Sequence, residues 1–254
     1  MNASLDDREL GDAVAQVAQN PASIIPQIEA LRRHLLRMLV ALGITVTLSL
    51  AFSELFLNVL SRPVGGLQEL QAIKITENLG VFMRMGLMLG VALALPYIAF
   101  EIWFFVAPGI SPRSRWMGLL GIPFAVAFFF AGVAFAYFVM LPVALPFLLG
   151  LTGIPAHPTA ESYFSFLLNI MFWIGLSFEF PLVIFILSSI GLVNPRALLT
   201  QWRLAVVIIS VAAAAITPTV DPVNMAIVMT PLILLYFLSI VLSYAAVAAR
   251  GKTP

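Results

Sequence analysis

The sequence predicts an all-α membrane protein with six transmembrane helices, and three observations carry that prediction. Of 254 residues, 61% are hydrophobic and 10% charged, whereas soluble domains carry roughly 25% charged residues. The apolar residues gather into long runs, to be judged against the ~20 residues a helix needs to cross ~30 Å of hydrocarbon. Basic residues are divided so unevenly among the connections that they imply an orientation.

The runs cover 36–57, 79–106, 116–140, 163–190, 204–217 and 224–247 within a single membrane domain, 23–250, flanked by polar tails at 1–22 and 251–254. Before span one, Ile24 to His34 mixes apolar and charged positions and reads as a short amphipathic surface helix. Span two is long enough to tilt, and Pro96 is its expected bend because it removes a donor. Segments 58–78 and 141–162 read as long connections rich in proline, with Pro63 in the first. The run Leu204 to Ile216 in span five would rise only about 20 Å as a helix, so it must thin the bilayer or shelter against other helices. Thr217-Pro218-Thr219-Val220-Asp221-Pro222 then makes a tight turn into span six, with Asp221 reading equally as a helix cap or a functional group.

With six spans, Arg8, Arg32, Arg33, Arg37, Arg113, Arg115, Arg196, Arg203, Arg250 and Lys252 share one side. Only Arg62 and Lys74 take the other, and Arg84 lies inside span two, placed to snorkel outward. The positive-inside rule then puts both termini in the cytoplasm. Trp103, Trp116, Trp202 and Tyr163 fall near expected interfaces and read as aromatic anchors.

Several function classes are excluded. The net charge of +1 is spread over span ends, which gives no nucleic-acid surface. Zero cysteines remove disulfides, thiolate metal sites and thiol catalysis. His-Glu-x-x-His, Gly-x-Ser-x-Gly and phosphate-cradling glycine loops are absent, so no enzymatic activity, metal or cofactor is expected.

The leading candidate residue is Glu179, in the apolar stretch from Phe164 to Ile190. An ionisable group at the bilayer centre costs roughly 2.5–3.5 kcal/mol on insertion scales, so it is retained mainly where it faces protein or water. Pro181, two residues on, weakens the helix at the same depth. A neutral carboxylic acid can donate one hydrogen bond and accept others. Polar adhesion to a partner helix is therefore its expected role, beside the plainer reading of a structural bond to a neighbouring helix.

Taken in order, the motifs resemble the TatC family, the multi-spanning subunit of the Sec-independent twin-arginine protein translocase. They are Leu31-Arg32-Arg33, Arg62-Pro63, Thr76-Glu77 with Phe82 and Arg84, then Pro96, Glu101, Trp103 and Ala107-Pro108-Gly109. Gly132, Phe135-Ala136-Tyr137-Phe138 and Pro142 follow in span three, and Gly175, Phe178-Glu179 and Pro181 in span four. Thr217-Pro218, Asp221-Pro222 and Pro231 close the series. The resemblance implies a concave, glove-like scaffold of six helices, with helices five and six short, in the plasma (inner, cytoplasmic) membrane. It implies a receptor for twin-arginine signal peptides that acts with single-span TatA/TatB-type subunits, self-associates in the complex and lies in contact with membrane lipid. Export of folded proteins would be driven by the proton motive force.

The chain departs from the family pattern at the recognition surface. Where the family reads roughly His-Leu-x-Glu-Leu-Arg, this chain has Gln27-Ile28-Glu29-Ala30-Leu31-Arg32, so the acid sits one residue early. One residue rotates a helical side chain by about 100°. A second common glutamate is replaced by Ser114. The expected recognition residues are thus Glu29, Arg32, Glu101 and Ser114, because a carboxylate binds a guanidinium through two parallel charge-assisted hydrogen bonds. Two alternatives stand beside this reading. One is a scaffold of the same fold without signal-peptide recognition; the other is a small secondary transporter with Glu179 as a proton site.

Overall fold

A computed structural model describes residues 25–106, 112–150, 158–189, 191–217 and 222–250. Their regular elements are helices. Helix α1 is Ile25–Leu50, α2 Ser53–Leu60, α3 Glu77–Val106, α4 Pro112–Phe135, α5 Leu141–Gly150, α6 Ala160–Phe178, α7 Phe180–Ser189, α8 Pro195–Thr200, α9 Trp202–Ile216 and α10 Pro222–Arg250. Five stretches are long and apolar enough to cross a membrane: Ile28–Leu50, Glu77–Phe105, Gly121–Gly150, Ala160–Ser189 and Pro222–Ala248. Trp202–Ile216 is a shorter apolar helix, in keeping with the short fifth run.

Three features differ from the sequence reading. First, the expected surface helix is not separate: α1 runs unbroken from Ile25 through the first span, and Pro26 is harmless in its opening turn, where no intrahelical donor is lost. Second, the third span continues to Gly150 through Pro142 and Pro146. A wider π-turn, Ala136–Met140, precedes Pro142 and takes up the ring and the missing donor that would otherwise end the helix. Third, the helix expected as a short sixth span is not short. α10 holds 29 residues, because an apolar run without charge until Arg250 carries the helix on, and Pro231 is accommodated inside it.

Capping sets several helix starts. The Thr159 hydroxyl accepts from Ser162 N–H at 3.2 Å to open α6, and Asn194 Oδ1 accepts from Arg196 N–H at 3.0 Å to open α8. Glu77 serves two helices. Its Oε2 accepts from Ile73 N–H (2.9 Å) and Lys74 N–H (3.3 Å), and its Oε1 accepts from Glu161 N–H (2.7 Å). One carboxyl therefore levels the first turns of α3 and α6, a favourable place for an acid at two helix N-termini. Pro63 sits in the tight turn Arg62–Val64, which Gly65 closes with φ +98°, a conformation that strains any residue with a Cβ.

Small residues let the helices approach. α1 lies along α3, where a Cβ at Gly90 would stand 2.6 Å from the Val46 Cα and one at Gly86 2.3 Å from Leu50 Cδ2. The Ser49 hydroxyl fills that seam and donates to Gly86 O at 2.5 Å. α4 meets α6 in the same manner: a Cβ at Gly132 would be 2.8 Å from the Gly175 Cα. Such small-residue seams drive helix association in lipid, where apolar burial gives no advantage.

Polar side chains bind the remaining elements. Tyr137 and Tyr163 hydroxyls donate to Val59 O (2.9 Å) and Leu60 O (2.6 Å), satisfying the C-terminal carbonyls of α2. Asn169 Nδ2 donates to Ile216 O at 2.8 Å, tying α6 to the end of α9. Ser188 and Ser243 share a hydrogen bond of 2.6 Å between α7 and α10, and Tyr236 donates to Leu198 O at 2.6 Å.

Candidate functional site

Glu179 occupies the break between α6 and α7. Its N–H still donates to Leu176 O at 3.1 Å and its carbonyl accepts from Val183 N–H at 3.0 Å. Pro181, fully buried, stands in the first turn of α7, where a missing donor does no harm. The sequence signal of an acid followed by a proline therefore marks a true joint between helices.

The side chain enters a cavity of about 420 Å³ walled by α3, α4, α6 and α7, with Leu95, Ile98, Ile102, Trp103, Ile122 and Leu182 among its apolar lining. Oε1 is buried and has no hydrogen-bond partner among the described residues. A buried polar atom without a partner costs roughly 1–3 kcal/mol, so the structural tie to a neighbouring helix is not what occupies this oxygen. An incoming donor would recover that cost. Trp103, expected at an interface, is 8% exposed and walls this cavity. Tyr163, also expected there, is 3% exposed because α2 needs its hydroxyl. Trp202 is exposed.

Glu101 has the opposite environment. It is 4% exposed at the far end of α3. Tyr97 O–H donates to Oε1 at 2.6 Å, His34 Nδ1 stands 2.5 Å from Oε2, and Arg37 Nη1 is 3.9 Å from Oε2. His34 also sets its ring edge-on to Phe105, with centroids 6.0 Å apart. The cluster joins α1 to α3 and leaves Glu101 already partnered. Its other members went unrecognised in the sequence. The available signal was that His34, Thr45 and Ser49 share one face of α1, the face that carries the Ser49 contact to α3.

Glu29 and Arg32 are exposed on the first turns of α1. The structure thus separates the expected recognition residues: Glu29 and Arg32 at the surface, Glu101 inside. The Ser114 side chain lies outside the described residues, as do Pro108, Pro218 and Asp221. Thr217 closes α9, its hydroxyl donating to Ala213 O at 2.9 Å, and Pro96 is carried within α3. Arg84 is exposed and donates to the Ser165 hydroxyl of α6. Among the described residues no three His, Asp or Glu side chains converge to hold a metal ion.

An all-helical array of membrane-length segments, with small-residue seams and a buried, unpartnered carboxyl oxygen in an apolar slot, defines a multi-pass membrane protein. Comparison with known proteins makes this specific. The family description "Sec-independent protein translocase protein (TatC)" matches residues 27–231. TatC of Carboxydothermus hydrogenoformans is 34% identical over 223 residues, 87% of this chain and 92% of the relative. TatC of Deinococcus radiodurans is 35% identical over 234 residues, 87% of this chain and 86% of the relative. The crystal structure of a "Twin Arginine Translocase Receptor- TatC" superposes with a TM-score of 0.78 at 29% identity, covering 87% of this chain and 99% of the other. The chain belongs to the TatC family, the multi-pass membrane proteins of Tat protein transport.

Proposed function

We propose that this chain is the receptor and scaffold subunit of a twin-arginine translocase, binding signal peptides with paired arginines and single-span TatA/TatB-type partners. The observation that carries the reading is the unpartnered Glu179 oxygen in an apolar slot within the span Ala160–Ser189. A polar residue on a partner helix would satisfy it, an exchange typically worth ~0.6–2 kcal/mol. Family membership and the solved receptor structure support it.

In this reading Trp202–Ile216 is the sixth span, both termini are cytoplasmic and the helices form a concave scaffold in the plasma membrane. The complex self-associates and draws on the proton motive force to export folded proteins. Glu29 is the accessible acid for an arginine guanidinium, with Arg32 on the same helix start and Ser114 in the first turn of α4 as further members of the surface, since Glu101 is engaged with Tyr97 and His34. Glu101 then serves recognition by holding α1 against α3.

The test is crosslinking near Glu29 to a twin-arginine signal peptide and to a matched twin-lysine peptide, with export of a folded reporter. The arginine peptide is expected to crosslink preferentially, and Glu29→Gln to reduce both crosslink and export at unchanged protein level. Export untouched by Glu29→Gln would overturn the assignment of Glu29. A second reading, a TatC-type scaffold without signal recognition, is favoured by Ala30 and Ser114 standing where the family pattern has acids; absence of crosslinks with either peptide would support it.

A further inference from the structure

A second cavity, about 780 Å³, opens between α3, α5 and α6 on the side of the molecule where α3 and α6 begin. Its polarity is graded. Arg84, Ser162 and Ser165 line the end nearest the helix starts, while Leu87, Val91 and Phe172 are among the apolar residues further in. Asn169, deeper on the same wall, already donates to Ile216 O.

Arg84 is the cation of this cavity. It lies seven residues into α3 from Glu77, about 10 Å along the helix axis. Ser165 lies five residues into α6 from Ala160, at similar depth because the Glu77 carboxyl levels the two helix starts. Arg84 and the Ser165 hydroxyl that accepts from it both line the cavity. Among the described residues no carboxylate stands within salt-bridge distance of Arg84, whose ion-pair partners would have to be an acid on α3, α5 or α6. A guanidinium at that depth is held best by an anion offering a fork of oxygens.

We propose that this cavity binds an anionic phospholipid of the adjacent leaflet. Its phosphate pairs with Arg84 and the Ser165 hydroxyl, and an acyl chain lies along Leu87, Val91 and Phe172. The occupant is a lipid and not a protein helix because the cation stands in the outer half of the cavity and the lining beyond it is apolar apart from Asn169, whose amide is already taken by Ile216 O, as along an amphiphile. A transmembrane helix would bring no matching gradient. The site is separate from the Glu179 slot and does not depend on the function proposed above.

The experiment is native mass spectrometry of the purified protein in neutral detergent with limiting phosphatidylglycerol or phosphatidylcholine. Wild type is expected to retain one phosphatidylglycerol with about fivefold preference, the scale of one basic group near a membrane surface. Arg84→Gln should abolish the preference and Arg84→Lys should keep part of it. Lys74→Gln, an exposed cation on the same side, should leave it intact. Equal preference in wild type and Arg84→Gln, or an equal fall in Lys74→Gln, would overturn the site. Should Arg84→Gln fail to fold, a photoreactive residue at Leu87 in whole membranes decides: lipid adducts support the proposal, and adducts with polypeptide alone reject it in favour of a partner helix.

Discussion

Helix α3 has two flanks, and they are built on opposite rules. Toward α1 the seam is closed: glycines remove every gap, Ser49 reaches Gly86 O, and Glu101 has Tyr97 and His34 for its two oxygens. Toward α6 and α7 the helix borders two cavities, with the Glu179 oxygen unpartnered in one and Arg84 without an anion in the other. Both flanks contain ionisable residues at membrane depth. What separates structure from binding is therefore not the presence of a charged side chain but whether the fold itself supplies its partner.

The sharpest way to break the comparison is at the closed seam. Gly90→Val places two methyl groups where even a Cβ would meet Val46 backbone, so α1 must separate from α3. We expect a loss of about 3 kcal/mol or more, the upper range for overpacking, read as a fall in Tm and in the yield of folded protein. A Gly90→Val variant as stable as wild type would mean that α1 is not seated on α3 as described.

A smaller effect is expected at the polar end of the same seam. Glu101→Leu leaves the Tyr97 hydroxyl and the His34 ring without their shared acceptor, which should lower Tm by about 3 °C or more. Glu101→Gln keeps an acceptor for Tyr97 and should recover most of the loss. Equal Tm for Glu101→Leu and wild type would reduce the cluster to a chance proximity.

The sequence disclosed the open flank better than the closed one. Glu179 stood out because an acid inside a long apolar run has no local alternative partner, and Pro181 marked the helix joint two residues on. The His34 and Glu101 pair could not be read the same way: they are 67 residues apart, and their meeting depends on α1 continuing as one helix through its amphipathic start. The third span was cut short because Pro142 and Pro146 are loop signals in water; here a π-turn absorbs the first of them and the helix runs on. Tyr163 and Trp103 misled for a related reason. An aromatic residue near a span end serves an interface or a neighbouring backbone equally well by composition, and the fold decides.

The comparison is tested most directly by making Glu179→Ala and Glu101→Leu side by side and measuring two quantities for each: thermal stability of the purified protein and copurification of single-span partner subunits. Glu179→Ala should hold its Tm, because removing an unpartnered polar group also removes its burial cost, while partner binding weakens by the ~0.6–2 kcal/mol of an interhelical polar contact. Glu179→Gln, which keeps a donor and an acceptor, should bind nearly as wild type. Glu101→Leu should show the reverse, a lower Tm with partner binding retained in the folded fraction. A Glu179→Ala variant that loses stability but holds its partners as tightly as wild type would contradict the account.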